Sequence, residues 1–351
     1  MSNSKWLKPL LSLALAASVS TIAIAQDLPK AKLNVVGSWS NLSQYKNFEY
    51  PFWTKEIPEK SNGAITAQIK GMNELGLKGG EIGRLMKQGV IQFASIPPGY
   101  LASDDPRNEV IDLAGLSPDI ETARKVTEAY RPVLEKLYAE KYDAKLLGVW
   151  PFSSQVLYCK APITGLKDLA GKKVRTGTRT LTDFVGALGG TGVTLTFAEV
   201  VQALQTGVVD CAITGTLSGY SAKWHEVSDY LYTLPVGWSQ VVHSVSNKTW
   251  DKMDPKTQAF LQKEIKGLED RIWIAADKET TEGIACNTGN APCPYGAPAK
   301  MQVVEFLDAD RKALHTLLEN VVVKSWSKRC GPACSADFNE TVGPVVGITL
   351  P

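Results

Sequence analysis

Histidine is scarce in this chain, and neither acidic nor basic residues are in excess. The three histidines, His225, His243 and His315, are scattered without the spacing of metal ligands, and no Cys-x-x-Cys pair accompanies them, so a zinc-type centre has no donor set. Phosphate-gripping loops are missing too. The glycine-rich run GGTGVT at 189–194 lacks the Lys-Ser/Thr ending, and no Gly-x-Gly-x-x-Gly follows a strand pattern. There is no Gly-x-Ser-x-Gly elbow and no cysteine in a nucleophile's setting, which removes the usual signatures of acyl transfer. The enzyme arrangement left open is a carboxylate pair brought together by folding, and an exported enzyme stays as a minor alternative on that ground. Lys plus Arg number 38 against 36 Asp plus Glu, a formal charge of +2, with no basic cluster; such a chain offers no footprint for nucleic acid or anionic lipid. Beyond the first 25 residues no apolar run reaches the roughly 20 residues that a membrane span needs.

What is present begins with a leader. Lys5 and Lys8 form a basic start, 10–19 is a short apolar stretch, and Ala23-Ile24-Ala25 fits the small-x-small cleavage rule, so 1–25 reads as a signal peptide and the mature chain as a soluble, exported protein starting near Gln26. Removing the two lysines takes the formal charge from +2 to 0. With 44% hydrophobic and 21% charged residues the chain suits a compact globular protein of about two domains. Six cysteines in an exported protein point to disulfides, although sequence leaves all fifteen complete pairings open. Cys286 and Cys293 bracket the turn-rich NTGNAP and Cys330 and Cys334 bracket GPA, which suggests two local staples; Cys159 and Cys211, on strands flanking the central unit, are then candidates for a third.

That central unit is KKVRTGTRTLTDFVGALGGTGVTLTFAEVVQALQTGVVDCAIT, residues 172–214. Its apolar period alternates between strand-like and helical, giving a strand at 173–176, a helix at 181–188 ended by Gly189-Gly190, a strand at 191–196, a helix at 197–206 closed by Gly207, and a strand at 208–213. Alternation of this kind means parallel strands with helices on their faces, and ligands of such sheets sit at the carboxyl ends of the strands. The same pattern opens the mature chain: KLNVVGSW as a strand, a helix over 45–60 with Pro51 early in it, a strand at 65–69, the helix GGEIGRLMKQG closed by Gly89, and VIQFASI as a buried strand stopped by Pro97-Pro98. A helix over 121–140 and a strand over 145–150 follow, and the first crossing between two α/β lobes is placed in WPFSSQ. Asp254-Pro255 is a cap and first turn, after which Leu261, Ile265, Leu268 and Ile272 recur at helical spacing in a helix reaching the 280s.

The run KKVRTGT, then ALGGTGVTLTFAEVVQALQTGVVD, then WHEVSDYL and SNKTWDKMDPKTQAFLQ resemble the solute-binding proteins of tripartite ATP-independent periplasmic (TRAP) transporters, the DctP-type family; the likeness runs from about Lys32 to about Ala285. The resemblance implies an α/β, two-lobed periplasmic binding protein fold, each lobe a sheet flanked by helices, with a long helix spanning both. The division expected is a first lobe over 26–150, a second over 151–234, and a return to the first lobe over 235–351 that includes the long helix and C-terminal helices packed on that lobe. It further implies a periplasmic protein that captures a small organic acid in the inter-lobe cleft and delivers it to a permease of small and large membrane subunits, with no ATP hydrolysis, no cofactor and no metal assigned. The alternative keeps the fold and feeds a sensor or an ABC-type permease.

Resemblance carries the family's carboxylate-binding arginine onto Arg175 in KVRT, where a rigid, permanently charged fork matches a carboxylate with two parallel bonds. The competing reading is an arginine tied into a structural salt bridge. Many relatives place a second arginine on the preceding strand; by spacing that position is Gln155 here, and an asparagine common after the VVDG-type strand becomes Thr214. The first-lobe loops, which contact ligand in the family, put Ser38, Trp39, Ser95 and Ile96 at the crevice. Around Arg175 the sequence then offers Trp39, Trp150, Phe152, Phe197, Tyr220 and Trp238, with hydroxyls from Ser38, Ser95, Thr178, Thr214 and Thr216. One charge anchor among aromatics and hydroxyls favours an aromatic or hydroxy monocarboxylate over a dicarboxylate. Arg179 is expected to be solvated, Glu199 to sit at a helix N-terminus and Asp210 to be a structural acceptor.

Overall fold

The computed structural model describes residues 28–351, so the leader expected at 1–25 lies outside it. Two sheets carry the fold. The first, in the order β2-β1-β3-β10-β4, is built from β1 (Ala31–Gly37), β2 (Ile65–Gly71), β3 (Phe93–Ile96), β4 (Ala144–Pro151) and β10 (Gln240–Ser246). The second, β11-β9-β5-β8-β6-β7, holds β5 (Gln155–Cys159), β6 (Lys173–Thr176), β7 (Thr191–Thr194), β8 (Cys211–Gly215), β9 (Tyr230–Gly237) and β11 (Gln302–Val304). The β-α-β-α-β reading of 172–214 is correct in type and order: β6 pairs in parallel with both β7 and β8, with helices Arg179–Ala187 and Val200–Thr206 between them. Strands β3, β5 and β8 are buried at every position, as sheets covered by helices on both faces require.

Each sheet contains one strand of opposite sense. β10 runs antiparallel to β3 and β4, and β5 antiparallel to β8 and β9. These are the strands that follow the crossings. The chain leaves the first sheet after Pro151 and returns after Gly237. Pro151 lies opposite Gln240 in one sheet, Gln155 opposite Gly237 in the other, and between them the Phe152 N–H donates to the Ser239 carbonyl at 2.8 Å. The two crossings therefore lie side by side as one ribbon, a geometry in which a few strand-terminal residues can absorb a rotation of one lobe against the other.

The third connection is the helix Pro255–Thr288. The Asp254 carboxylate accepts from the Lys256 N–H, Pro255 fills the first turn, and Gly289 ends the helix with φ +73°. At ~1.5 Å per residue its 34 residues extend about 50 Å. Its middle is tied to the first sheet by Trp273 Nε1, which donates to the Val149 carbonyl at 2.9 Å. Its last turns meet the second lobe, where Thr216 Oγ1 donates to the Thr280 carbonyl at 3.0 Å. A β-carbon on Gly283 would stand 2.4 Å from the Leu217 nitrogen, so only glycine permits this approach.

Two stretches differ from expectation. The helix expected over 45–60 is helical throughout but wide-turned: Tyr50 N–H bonds to Tyr45 O and Ile57 N–H to Phe52 O, around Pro51, which has no N–H to give. The C-terminal third does not dock on the first lobe alone. Gln302–Val304 is a strand parallel to β9 at the edge of the second sheet. Helix Asp308–Leu317 packs on β9, the turn Leu318–Val322 on helix Arg179–Ala187, and Gly343–Val346 on the first-lobe helix Ile120–Tyr142. The C-terminus thus straddles the lobes.

Disulfides join Cys159 to Cys211, Cys286 to Cys293 and Cys330 to Cys334, and no free cysteine remains among the described residues. Cys159 and Cys211 are directly opposed in the β5–β8 pair, with Cα atoms 4.1 Å apart. Among the described residues no helix is long and apolar enough to cross a membrane.

Candidate ligand site between the two sheets

The strand ends and the crossing ribbon enclose a cavity of about 40 Å³, lined by residues of both lobes. Trp39 follows β1. Its ring centroid is 5.3 Å from Phe197 of the second lobe, 6.0 Å from Phe152 on the ribbon and 5.8 Å from Tyr100. The loop of Pro97, Pro98 and Gly99 reaches across, so that a β-carbon on Gly99 would stand 2.8 Å from the Thr178 methyl. These contacts shut the cleft over the cavity.

Arg175, near the end of β6, is 3% exposed. Nε and Nη2 donate to the Leu195 carbonyl at 3.1 and 3.0 Å, and Nη1 to the Ile213 carbonyl at 3.0 Å. A guanidinium has five N–H groups. Three are held by backbone, leaving one on each Nη with no protein carbonyl or carboxylate. Among the described residues no acidic side chain lies within 4.0 Å of this cation, so the salt-bridge reading fails. The phenol of Tyr100 stands beside it, and the rings of Phe197 and Trp224 lie 6.0 and 5.7 Å from Cζ. Burial lowers its pKa from the usual guanidinium value, yet arginine keeps its charge in proteins. An uncompensated buried cation beside a cavity is a strong anion site.

The same cavity carries a carboxylate. Asp112, 9% exposed, ends the turn Pro106–Asp112 and accepts from Gln155 Nε2 at 3.2 Å and from the Trp238 backbone N–H. Burial pushes its carboxyl up to about 7. Beside it Gln240 uses both ends of its amide: Nε2 donates to the Ile111 carbonyl and Oε1 accepts from Thr127, each at 2.8 Å.

Of the residues singled out from sequence, Arg175, Gln155, Thr214, Trp39, Thr178 and Phe197 line the cavity, and so does Phe152. Thr178 also caps helix Arg179–Ala187. Ser38, Ser95, Trp150 and Trp238 do not line it. The Ser38 N–H donates to Glu49, whose buried carboxyl is pushed up to about 6. Ser95 bonds to His243 at 2.9 Å, and Trp150 stacks on the same imidazole at 5.2 Å. Burial drives that imidazole down to about 3, so it is neutral. Trp238 packs on Ala123 and Trp273 and donates to the Ser117 carbonyl. Tyr220 is turned away as well, donating to the Ala297 carbonyl. Sequence reasoning missed Asp112, Tyr100 and Gln240. The signal for Asp112 was an acid inside the apolar run VIDLAGL.

The family described as bacterial extracellular solute-binding protein, family 7 (DctP) matches residues 37–329. The chain belongs to this family. Among curated relatives, the C4-dicarboxylate-binding periplasmic protein DctP of Rhodobacter capsulatus is 29% identical over 238 residues, 66% of this chain and 70% of its own. The ectoine-binding periplasmic protein TeaA of Halomonas elongata is 27% identical over 241 residues, covering 63% and 70%. Among solved structures, a Bordetella pertussis extracytoplasmic solute receptor binding pyroglutamic acid superposes with a TM-score of 0.78 at 21% identity, over 88% of this chain and 99% of that one. In this DctP-family protein, the positively charged fork sits where the sheets' strand ends meet the crossing ribbon.

Proposed function

We propose that this chain is the extracytoplasmic solute-binding protein of a TRAP transporter. It captures a small monocarboxylate, aromatic or hydroxylated, between its lobes in the periplasm and hands it to the small and large membrane subunits without catalysing a reaction. The observation that carries this reading is the Arg175 guanidinium, buried against the cavity with no carboxylate partner and with two N–H groups that no backbone carbonyl takes, the Tyr100 phenol beside them. The flat rings of Trp39, Phe152 and Phe197 support a planar ligand body, and Gln155 in place of a second arginine supports one carboxylate rather than two. The relatives named for ectoine and for C4-dicarboxylates are in keeping with a small organic acid as ligand; neither bears on the choice of one carboxylate over two. The buried Ser95–His243 pair lies outside the cavity, which argues against nucleophilic catalysis.

The test is a thermal-shift screen of refolded, ligand-stripped protein against aromatic acids, hydroxy acids, sugar acids and dicarboxylates. A ligand at 100 times its Kd adds about 2.7 kcal/mol. Shifts confined to monocarboxylates are expected. Silence across all acids overturns the carboxylate assignment, and shifts only with dicarboxylates overturn the single-anchor reading.

A further inference from the structure

A second charged group in the cavity has no part in holding a carboxylate. Asp112 is nine-tenths buried and lines the same 40 Å³ cavity as Arg175, yet the two form no ion pair. Both its protein donors are neutral, the Gln155 amide and the Trp238 N–H. Among the described residues no Lys, Arg or His nitrogen lies within 4.0 Å of it. A carboxylate offers about four lone-pair sites, so two neutral bonds leave acceptor capacity. A purely structural acceptor for Gln155 and Trp238 could be an asparagine, with no buried charge to neutralise. Neighbouring Gln240 brings no charge to Asp112 and makes no hydrogen bond to its carboxylate; its Nε2 donates to the Ile111 carbonyl and its Oε1 accepts from Thr127.

We infer that Asp112 is the second recognition point of this cavity, and that the ligand is a small carboxylate bearing an N–H donor, a ring amide or a protonated amine, on the side away from its carboxylate. The inference rests on Arg175 as the carboxylate anchor. Cation and carboxylate in one closed cavity match a ligand whose own charges or dipoles run the opposite way. An acid without the donor would bury Asp112 unanswered, and sites built to meet a polar group reject the analogue lacking it far more strongly than they reject a change of shape. Asp112 is also held in place from the ribbon: Gln155 bonds its side chain, Trp238 its carboxylate and Gln240 the preceding carbonyl of Ile111. Its position is therefore set by the same segment that joins the lobes.

Isothermal titration with three five-membered-ring acids of similar size tests this: 5-oxoproline carries an amide N–H, proline an ammonium, and cyclopentanecarboxylate neither. The wild-type protein should bind cyclopentanecarboxylate at least ~100-fold more weakly than the tighter nitrogen acid. Asp112→Ala should bring the three within about fivefold, chiefly by weakening the nitrogen acids. Asp112→Asn, which keeps an acceptor and the partner for Gln155, should retain more of the 5-oxoproline affinity than of the proline affinity. Binding of all three to wild type within tenfold overturns the role of Asp112 and leaves Arg175 standing, as does a wild-type preference that survives in Asp112→Ala. Binding of none of them overturns the Asp112 inference and leaves the Arg175 anchor to be judged by the wider acid screen.

Discussion

Replacing Arg175 with alanine separates its structural from its ligand-binding part. In the ligand-free protein the substitution strands the carbonyls of Leu195 and Ile213, which now accept three guanidinium bonds. A stranded buried acceptor costs about 1–3 kcal/mol. Against this, the substitution removes a cation that is 3% exposed and has no counter-charge, and burying such an ion carries a penalty of several kcal/mol. The two effects oppose each other, so the folded, empty protein should change by no more than about 2 kcal/mol. Ligand binding has no such offset. A bidentate charge-assisted pair is lost and the ligand's carboxylate would be enclosed unpaired, about 3–5 kcal/mol, or two to nearly four orders of magnitude in Kd. Arg175→Lys keeps the charge without the fork and should fall between, roughly tenfold or more weaker than wild type. The assay is calorimetric titration of wild type and both variants with the best acid from the thermal-shift panel, beside melting of each protein without ligand. A folded Arg175→Ala protein whose Kd stays within threefold of wild type refutes the reasoning.

Three other outcomes are expected. Thiol labelling of the oxidised mature protein under denaturing, non-reducing conditions should find no reactive cysteine, given bridges 159–211, 286–293 and 330–334, and labelling of two or more breaks that pairing. Glu279 on the long helix is buried among Ser43 and Gln44, and burial raises its pKa from 4.5 to about 7. The folded chain therefore keeps a proton there that the unfolded chain loses near pH 4.5, and this residue's contribution to stability falls as pH rises from about 4.5 to 7. Glu279→Gln, neutral at all pH, should match wild type at pH 5 and exceed it by about 1–3 kcal/mol at pH 8 in denaturant melts; an equal difference at both pH values counts against a buried ionisable group. Gly99→Leu should weaken ligand binding at least about tenfold with little change in the empty protein's melting, because its β-carbon would sit 2.8 Å from the Thr178 methyl across the cleft. An unchanged affinity would mean that this contact is not needed for closure.

The fold was legible wherever the apolar period was sustained. Helix Pro255–Thr288 was readable from Asp254-Pro255 and the spacing of Leu261, Ile265, Leu268 and Ile272, all buried except at the capping turn. The strand expected over 208–213 begins later, at Cys211, because Gly207 leaves its helix in the left-handed region and Val208, half exposed, belongs to the return turn. β11 was not legible. Three residues of Gln-Val-Val carry no period, and their strand state comes from β9 alongside. That pairing is also what draws the C-terminal helices toward the second lobe.

For the site, a residue's place in the chain set which strand end it occupied but not which way it faced. Ser38 and Trp39 both follow β1, yet the Ser38 N–H is spent on Glu49 and its side chain does not line the cavity, while Trp39 does. Trp150 and Ser95, expected from sequence at the crevice, flank the neutral imidazole of His243 beneath the first lobe's surface. The motif that marks Arg175 lies at a strand end of the resembled family, and that residue is buried against the cavity. Asp112 had no such mark, because it sits on a short irregular turn whose partners, Gln155 and Trp238, lie on either side of the crossing ribbon. Its position exists only once both crossings are paired. The cation comes from the second lobe, the carboxylate from a turn held by the ribbon, and Trp39 from the first lobe. No single lobe contains the site, so on the proposed reading a ligand that bridges Arg175 and Asp112 gains both contacts only where the lobes meet, and it would favour closure by that difference in affinity.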